Sequence, residues 1–118
     1  MGLFHLANGL AMLLWPESWA ARVVHLAAPD HLHLHFIADI AMAFLASGTC
    51  LLLGARGNAR WAVAGAAWPA LHGLVHVWSW ITMGPPVGAD RLREGFGVIA
   101  AGALGVVLAW LRTRQGAV

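Results

Sequence analysis

The chain has 118 residues, of which 60% are hydrophobic and 10% charged, with a formal net charge of +2. A soluble domain carries about 25% charged residues, and a fold of this size has no core large enough for so much apolar surface, so lipid is the expected solvent. The positive charge comes from seven arginines scattered over termini and turns, without a basic stripe or nucleic-acid motif, which excludes a nucleic-acid partner, and the one cysteine, Cys50, supports no disulfide.

Residues 2–15, GLFHLANGLAMLLW, read as a first span. No basic n-region and no A-x-A-like cleavage site frames it, so it is expected to stay in the mature protein. The span stops at Trp15-Pro16, and Pro16 suits the first position of a new helix. Helical spacing at Trp19, Val23 and Leu26 makes 16–28 a segment that continues the first span or lies along the membrane interface. After Ala28-Pro29, Asp30 is placed to cap a second span over 31–54. That span opens on His31-Leu32-His33-Leu34-His35 and ends at Gly54, before the turn ARGNAR. A third span covers 61–80, with a kink expected at Pro69 because the Gly65 carbonyl loses its partner. Gly84-Pro85-Pro86 interrupts the chain before a fourth span over 91–111. There Gly97, Ala101, Gly105 and Ala109 recur at i, i+4 and predict a close-packing face. The tail RTRQGAV reads as polar and frayed.

The expected fold is therefore all-α, a four-transmembrane-helix bundle forming one domain over 1–118. One side of it carries Arg56, Arg60, Arg112 and Arg114 and no acid. The other sets Arg22, Arg91 and Arg93 against Glu17, Asp30, Asp90 and Glu94. The positive-inside rule then puts both termini in the cytoplasm, with Trp61 and Trp110 at the inner interface and Trp15, Trp19, Trp78 and Trp80 at the outer.

Two polar pairs interrupt the apolar sequence, His35 with Asp39 and His72 with His76. Each is spaced i, i+4, so each presents two side chains on one helix face. Ionisable residues in a membrane span mark function by default, because they are costly there. If the second and third spans run antiparallel, His35 lies level with His76 and Asp39 with His72, one and two turns below the outer interface. Small and polar neighbours (Ala43, Ser47, Cys50, Gly65, Pro69, Ser79) predict that both faces look inward. Three imidazoles and one carboxylate suit a transition metal: copper or zinc, with iron as a further option. The leading expectation is a metal site at His35, Asp39, His72 and His76 near the outer leaflet. It would serve a metal-handling or redox component, or a subunit of a larger membrane enzyme. Any catalysis would have the metal polarise or oxidise a small apolar substrate arriving from lipid.

Two alternatives stand beside it. One is an accessory subunit with a purely structural clamp, Asp39 accepting a hydrogen bond from His72. The other is a haem b, quinone or proton-relay site. A homo-oligomer or larger membrane complex is expected in each case. His31 and His33 could extend a metal path; His5 reads as interfacial, His25 as a solvated loop residue, and Asp90 and Glu94 as partners of Arg91 and Arg93.

The order of the pieces MLLWPESWAARV, HFIADIAMAFLASG and ALHGLVHVW resembles that of small, largely uncharacterised bacterial four-helix membrane proteins, broadly DoxX-like. The resemblance implies the fold and a bacterial inner membrane, and carries no activity. In that pattern an Arg often precedes the aspartate; here Ala38 leaves Asp39 without a local counter-charge, which favours a metal in that role. In ligand type alone, the set is similar to the copper-binding membrane subunit of particulate methane monooxygenases, where Asp and His come from neighbouring spans.

Overall fold

In the computed structural model, which describes residues 1–25 and 28–115, every regular element is a helix. These are α1 (Gly2–Leu14), α2 (Pro16–Val23), α3 (His31–Arg56), α4 (Ala59–Met83) and α5 (Ala89–Gln115), with α5 wound as a π-helix over Arg93–Ala100. Leu26 of the expected interfacial segment and the last three residues of the tail lie outside the described residues. The chain forms two compact units, Met1–Thr49 and Cys50–Val118, and the division falls inside α3.

In the first unit, Trp15 takes an extended backbone (φ −138°) and ends α1. Pro16 then occupies the first turn of α2, where its missing N–H costs no hydrogen bond. The Trp19 indole donates to Asn8 Oδ1 at 3.0 Å and ties α2 to α1. His25 follows α2 with φ +57°, a conformation that histidine tolerates better than a β-branched residue. Asp30 caps α3 as expected: its Oδ1 accepts the His33 backbone N–H at 2.9 Å. α1 packs closely on α3 because two glycines face the contact. A Cβ on Gly9 would lie 2.9 Å from the Ala41 carbonyl oxygen, and one on Gly48 would lie 2.8 Å from that of Gly2. Met12, Ala20, Ile37 and Ala41 form the core of this unit.

In the second unit, α4 is capped by the Asn58 side chain, which accepts from Arg60 N–H at 2.9 Å. It continues through Pro69 to Met83, and Gly65 is not left without an interaction. Ala62, Ala66 and Ala109 are its core. A Cβ on Gly102 would fall 2.5 Å from the Pro69 carbonyl oxygen, and one on Gly54 would overlap the Ala62 backbone. The packing face of α5 is thus Gly102, Gly105 and Ala109, a correction to the expected stripe. Gly105 and Ala109 keep their places, but Gly97 faces open space. The reason is helical drift: at 3.6 residues per turn each i, i+4 step moves about 40° round the helix, so Gly97 lies about 120° from Ala109.

Among the described residues, the buried apolar set contains few side chains larger than alanine: Met12, Ile37 and Pro69. The large apolar residues lie outside: Leu3, Leu71, Val75, Trp78, Ile81 and Phe96 are each 63–73% exposed. Small residues inside and large ones outside is the pattern of helices that pack against each other in lipid, and a surface this apolar is unusual for a soluble monomer. Two helices, α3 and α5, are long and apolar enough to cross a membrane. α4 matches them in length with 25 residues, but its histidines, tryptophans and proline dilute its aliphatic content. α1 is apolar but has 13 residues, about 20 Å of helix against a hydrocarbon core of about 30 Å.

Candidate functional site

The strongest polar constellation is on α4 and α5. Trp68, His72, His76 and Trp80 recur every four residues, and so share one face of α4. Trp68 stacks on His72 (centroids 5.1 Å apart, planes 8° from parallel), and His72 meets His76 edge-on at 4.8 Å. The ladder ends on Glu94, in the π-helical part of α5. Its Oε2 lies 3.0 Å from Nδ1 of His76 and accepts the Trp80 indole N–H at 2.7 Å. An ionised carboxylate only accepts hydrogen bonds, so Nδ1 of His76 carries the hydrogen, and Nε2 holds the lone pair whenever the imidazole is neutral. The side chains of His76 and Glu94 are 25% and 32% exposed, so the pair is sheltered but not sealed. Trp80 reaches across to Gly95, where a Cβ would lie 3.5 Å from the tip of the indole.

This assigns Glu94 differently from the sequence. Asp90 does meet Arg93, at 3.0 Å, while Arg91 donates to the Pro86 carbonyl. Glu94 turns from the arginines to His76 and Trp80. Local spacing thus holds for Asp90 and Arg93, an i, i+3 pair, while the partners of Glu94 come from another helix, which spacing along α5 does not reveal.

His35 and Asp39 belong to the first unit, and His72 and His76 to the second. Nε2 of His35 lies 3.5 Å from Oδ2 of Asp39, with 68% and 65% of the two side chains exposed. Within the first unit this pair faces away from α1. The face of α3 that packs on α1 carries Ile37, Ala41 and Gly48, and His35 and Asp39 lie on the opposite side of the helix. Among the described residues, no group of three or more His, Cys, Asp or Glu side chains is arranged to hold a metal ion.

The first unit has a second polar contact that the sequence reading placed wrongly. His5 is 2% exposed, where an interfacial residue was expected. Its Nδ1 lies 2.9 Å from Ser47 Oγ, and its ring meets Phe44 edge-on at 5.3 Å. The cause is the glycine contact of α1 with α3, which draws the first turns of α1 against Ser47 and Gly48. His33 is held by Asp30, whose Oδ1 lies 2.7 Å from its Nδ1. The backbone N–H of His33 and then its ring hold the Asp30 carboxyl below the usual carboxylate range.

Glu94, Trp68 and Trp80 were the site residues that the sequence reading missed. The signal for the tryptophans was present, since 68, 72, 76 and 80 form one uninterrupted i, i+4 series. That for Glu94 was weaker: it is the last acidic residue in the chain and lies next to an apolar run. No family model matches the chain, and neither does any curated protein or solved structure, so the DoxX-like resemblance gains no support from comparison.

Proposed function

We propose that the chain is a multi-pass helical protein of a bacterial inner membrane, with both termini cytoplasmic, that acts as an accessory or structural subunit of a membrane assembly. In this reading the His76–Glu94–Trp80 cluster is a polar clamp between α4 and α5. The observation that carries it is that the Glu94 carboxylate is satisfied from α4 by both an imidazole and an indole. A carboxylate on a membrane-spanning helix is costly unless paired, and pairing it across two helices fixes their register. The large exposed side chains of α4, Leu71, Leu74, Val75 and Trp78, are then free to face lipid or neighbouring subunits. The test is purification from membranes in mild detergent with sizing. A stoichiometric complex is expected, with His76→Ala lowering thermal stability; a monomer whose stability is unchanged by His76→Ala refutes the reading.

A second reading keeps a transition metal, copper, zinc or iron. The observation favouring it is that Glu94 takes Nδ1 of His76 and leaves Nε2 as the lone-pair nitrogen, the way a carboxylate orients a metal-binding imidazole from outside the coordination shell. His72, one turn away, would be the second ligand. These two cannot complete a site alone, so the reading needs ligands beyond them. Elemental analysis of the purified protein decides it: about one metal per chain in wild type, lost in His72→Ala, supports the metal, and none in either excludes it.

A further inference from the structure

At the other end of the second unit, a cavity of about 590 Å³ opens between the α3–α4 turn and the end of α5, lined by Gly57, Asn58, Arg60, Val63, Arg112 and Thr113 among others. Two arginines, Arg60 and Arg112, are among its lining residues. Arg112 is held in place by neutral acceptors: its Nε donates to the Gly54 carbonyl at 3.2 Å and its Nη2 to that of Gly57 at 2.9 Å. These bonds orient the group and, among the described residues, leave it without an acidic side-chain partner. The sequence carries no Asp or Glu from residue 40 to 89 or after Glu94, so Arg56, Arg60, Arg112 and Arg114 have no acidic side chain near them along the chain. The half-exposed Val63 adds an apolar side chain to the lining. Trp61 and Trp110 are half-exposed at the same end, with the Arg114 guanidinium 4.2 Å from the Trp110 ring centroid. Indole rings of this kind sit at headgroup depth in a membrane. A basic lining, an apolar side chain within it and an aromatic rim together match a lipid whose phosphate is anionic and whose chains run down the helices.

We propose that this cavity binds the phosphate headgroup of an anionic phospholipid of the inner leaflet, with Arg60 and Arg112 as its cationic contacts. The proposal rests on the membrane reading above. Arg112 also holds the end of α3, so Arg60→Gln is the informative variant, and Arg114→Gln is the control that removes the same charge from outside the cavity lining. Protein in detergent micelles is doped with equal phosphatidylglycerol and phosphatidylcholine, and retained lipid is counted by native mass spectrometry. Wild type retains phosphatidylglycerol in preference, Arg60→Gln retains about fivefold less, the ratio one arginine carries at an anionic surface, and Arg114→Gln matches wild type. Equal retention of the two lipids, or equal losses in Arg60→Gln and Arg114→Gln, overturns the headgroup site alone. Binding of inorganic phosphate that displaces the lipid and is itself lost in Arg60→Gln makes the cavity a free-anion site and overturns it too. Recovery of the protein from cells in the soluble fraction sinks the membrane reading and this proposal together.

Discussion

Oε2 of Glu94 lies 3.0 Å from Nδ1 of His76, and the two residues are 18 positions apart on different helices. This contact gives the polar face of α4 a partner inside its own unit. It turns a histidine that reads as a metal ligand into one with a carboxylate already attached. The same oxygen takes the Trp80 indole, so the cluster resists loss of either donor better than loss of the acceptor. Glu94→Gln is expected to weaken both contacts and to lower stability more than Trp80→Phe, which removes one. Thermal unfolding in detergent compares the two variants, and the opposite order would place the main interaction elsewhere.

Close glycine contacts fix where the helices meet. Gly102→Leu puts a side chain into the Pro69 backbone and should cost about 1–3 kcal/mol or prevent folding, the usual range for overpacking. Gly97 has nothing within 4 Å of its added Cβ, so Gly97→Ala should change stability by less than about 0.5 kcal/mol. Unfolding midpoints of the two variants test the register of α5 on α4. A sensitive Gly97 and a tolerant Gly102 would place the contact face of α5 elsewhere.

How much of this was legible in the sequence follows from where α-helical counting holds. Pro16 at the start of α2, the Asp30 cap and the glycine–proline break before α5 are local signals, and each appears where the residue chemistry puts it. The polar stripe of α4 was legible for the same reason, since 72 and 76 share a face on any α-helix. Gly97 was misread because an i, i+4 count drifts round the helix, and Glu94 because its partners His76 and Trp80 lie on α4, out of reach of local spacing. His5 was misread because its environment depends on how closely α1 approaches α3, which Gly9 and Gly48 permit but do not announce. On α3 the side that packs on α1 is marked by Ile37, Ala41 and Gly48, with the polar pair opposite, a contact that small and polar residues alone do not announce.

The His5–Ser47 contact is buried and therefore sensitive. Ser47→Ala leaves a histidine nitrogen without its partner and should cost about 1–3 kcal/mol by the usual penalty for an unsatisfied buried group. His5→Phe in the Ser47→Ala background removes both polar groups and should recover part of that loss. Unfolding of the single and double variants measures it; a double variant as unstable as the sum of its parts would show that the two side chains do not interact.

Asp30 gives a pH dependence with a definite sign. Hydrogen bonds from His33 depress its folded pKa below the unfolded value, which is about 3.9. Its capping contribution is therefore fully present above about pH 4 and is lost as pH falls through the depressed folded value. Amide protection in the first turn of α3 should be constant from neutral pH to about 5 and then fall in more acidic buffer. Asp30→Ala should show weak protection there at every pH. Hydrogen exchange resolved to residues 31–35 reads this directly, and an acid-insensitive first turn in wild type would rule out the cap as a carboxylate.

The central claim is that His76 and Glu94 form a structural clamp across α4 and α5, and a double-mutant cycle tests it most directly. Unfolding free energies of wild type, His76→Ala, Glu94→Gln and the double variant are measured in one detergent, with metal content determined on each sample. The account predicts a coupling of about 0.6 kcal/mol, up to about 1.7, the range for hydrogen bonds between membrane helices, with no metal in any of the four. Additive losses, or a stoichiometric metal in wild type that disappears with His76, would contradict it.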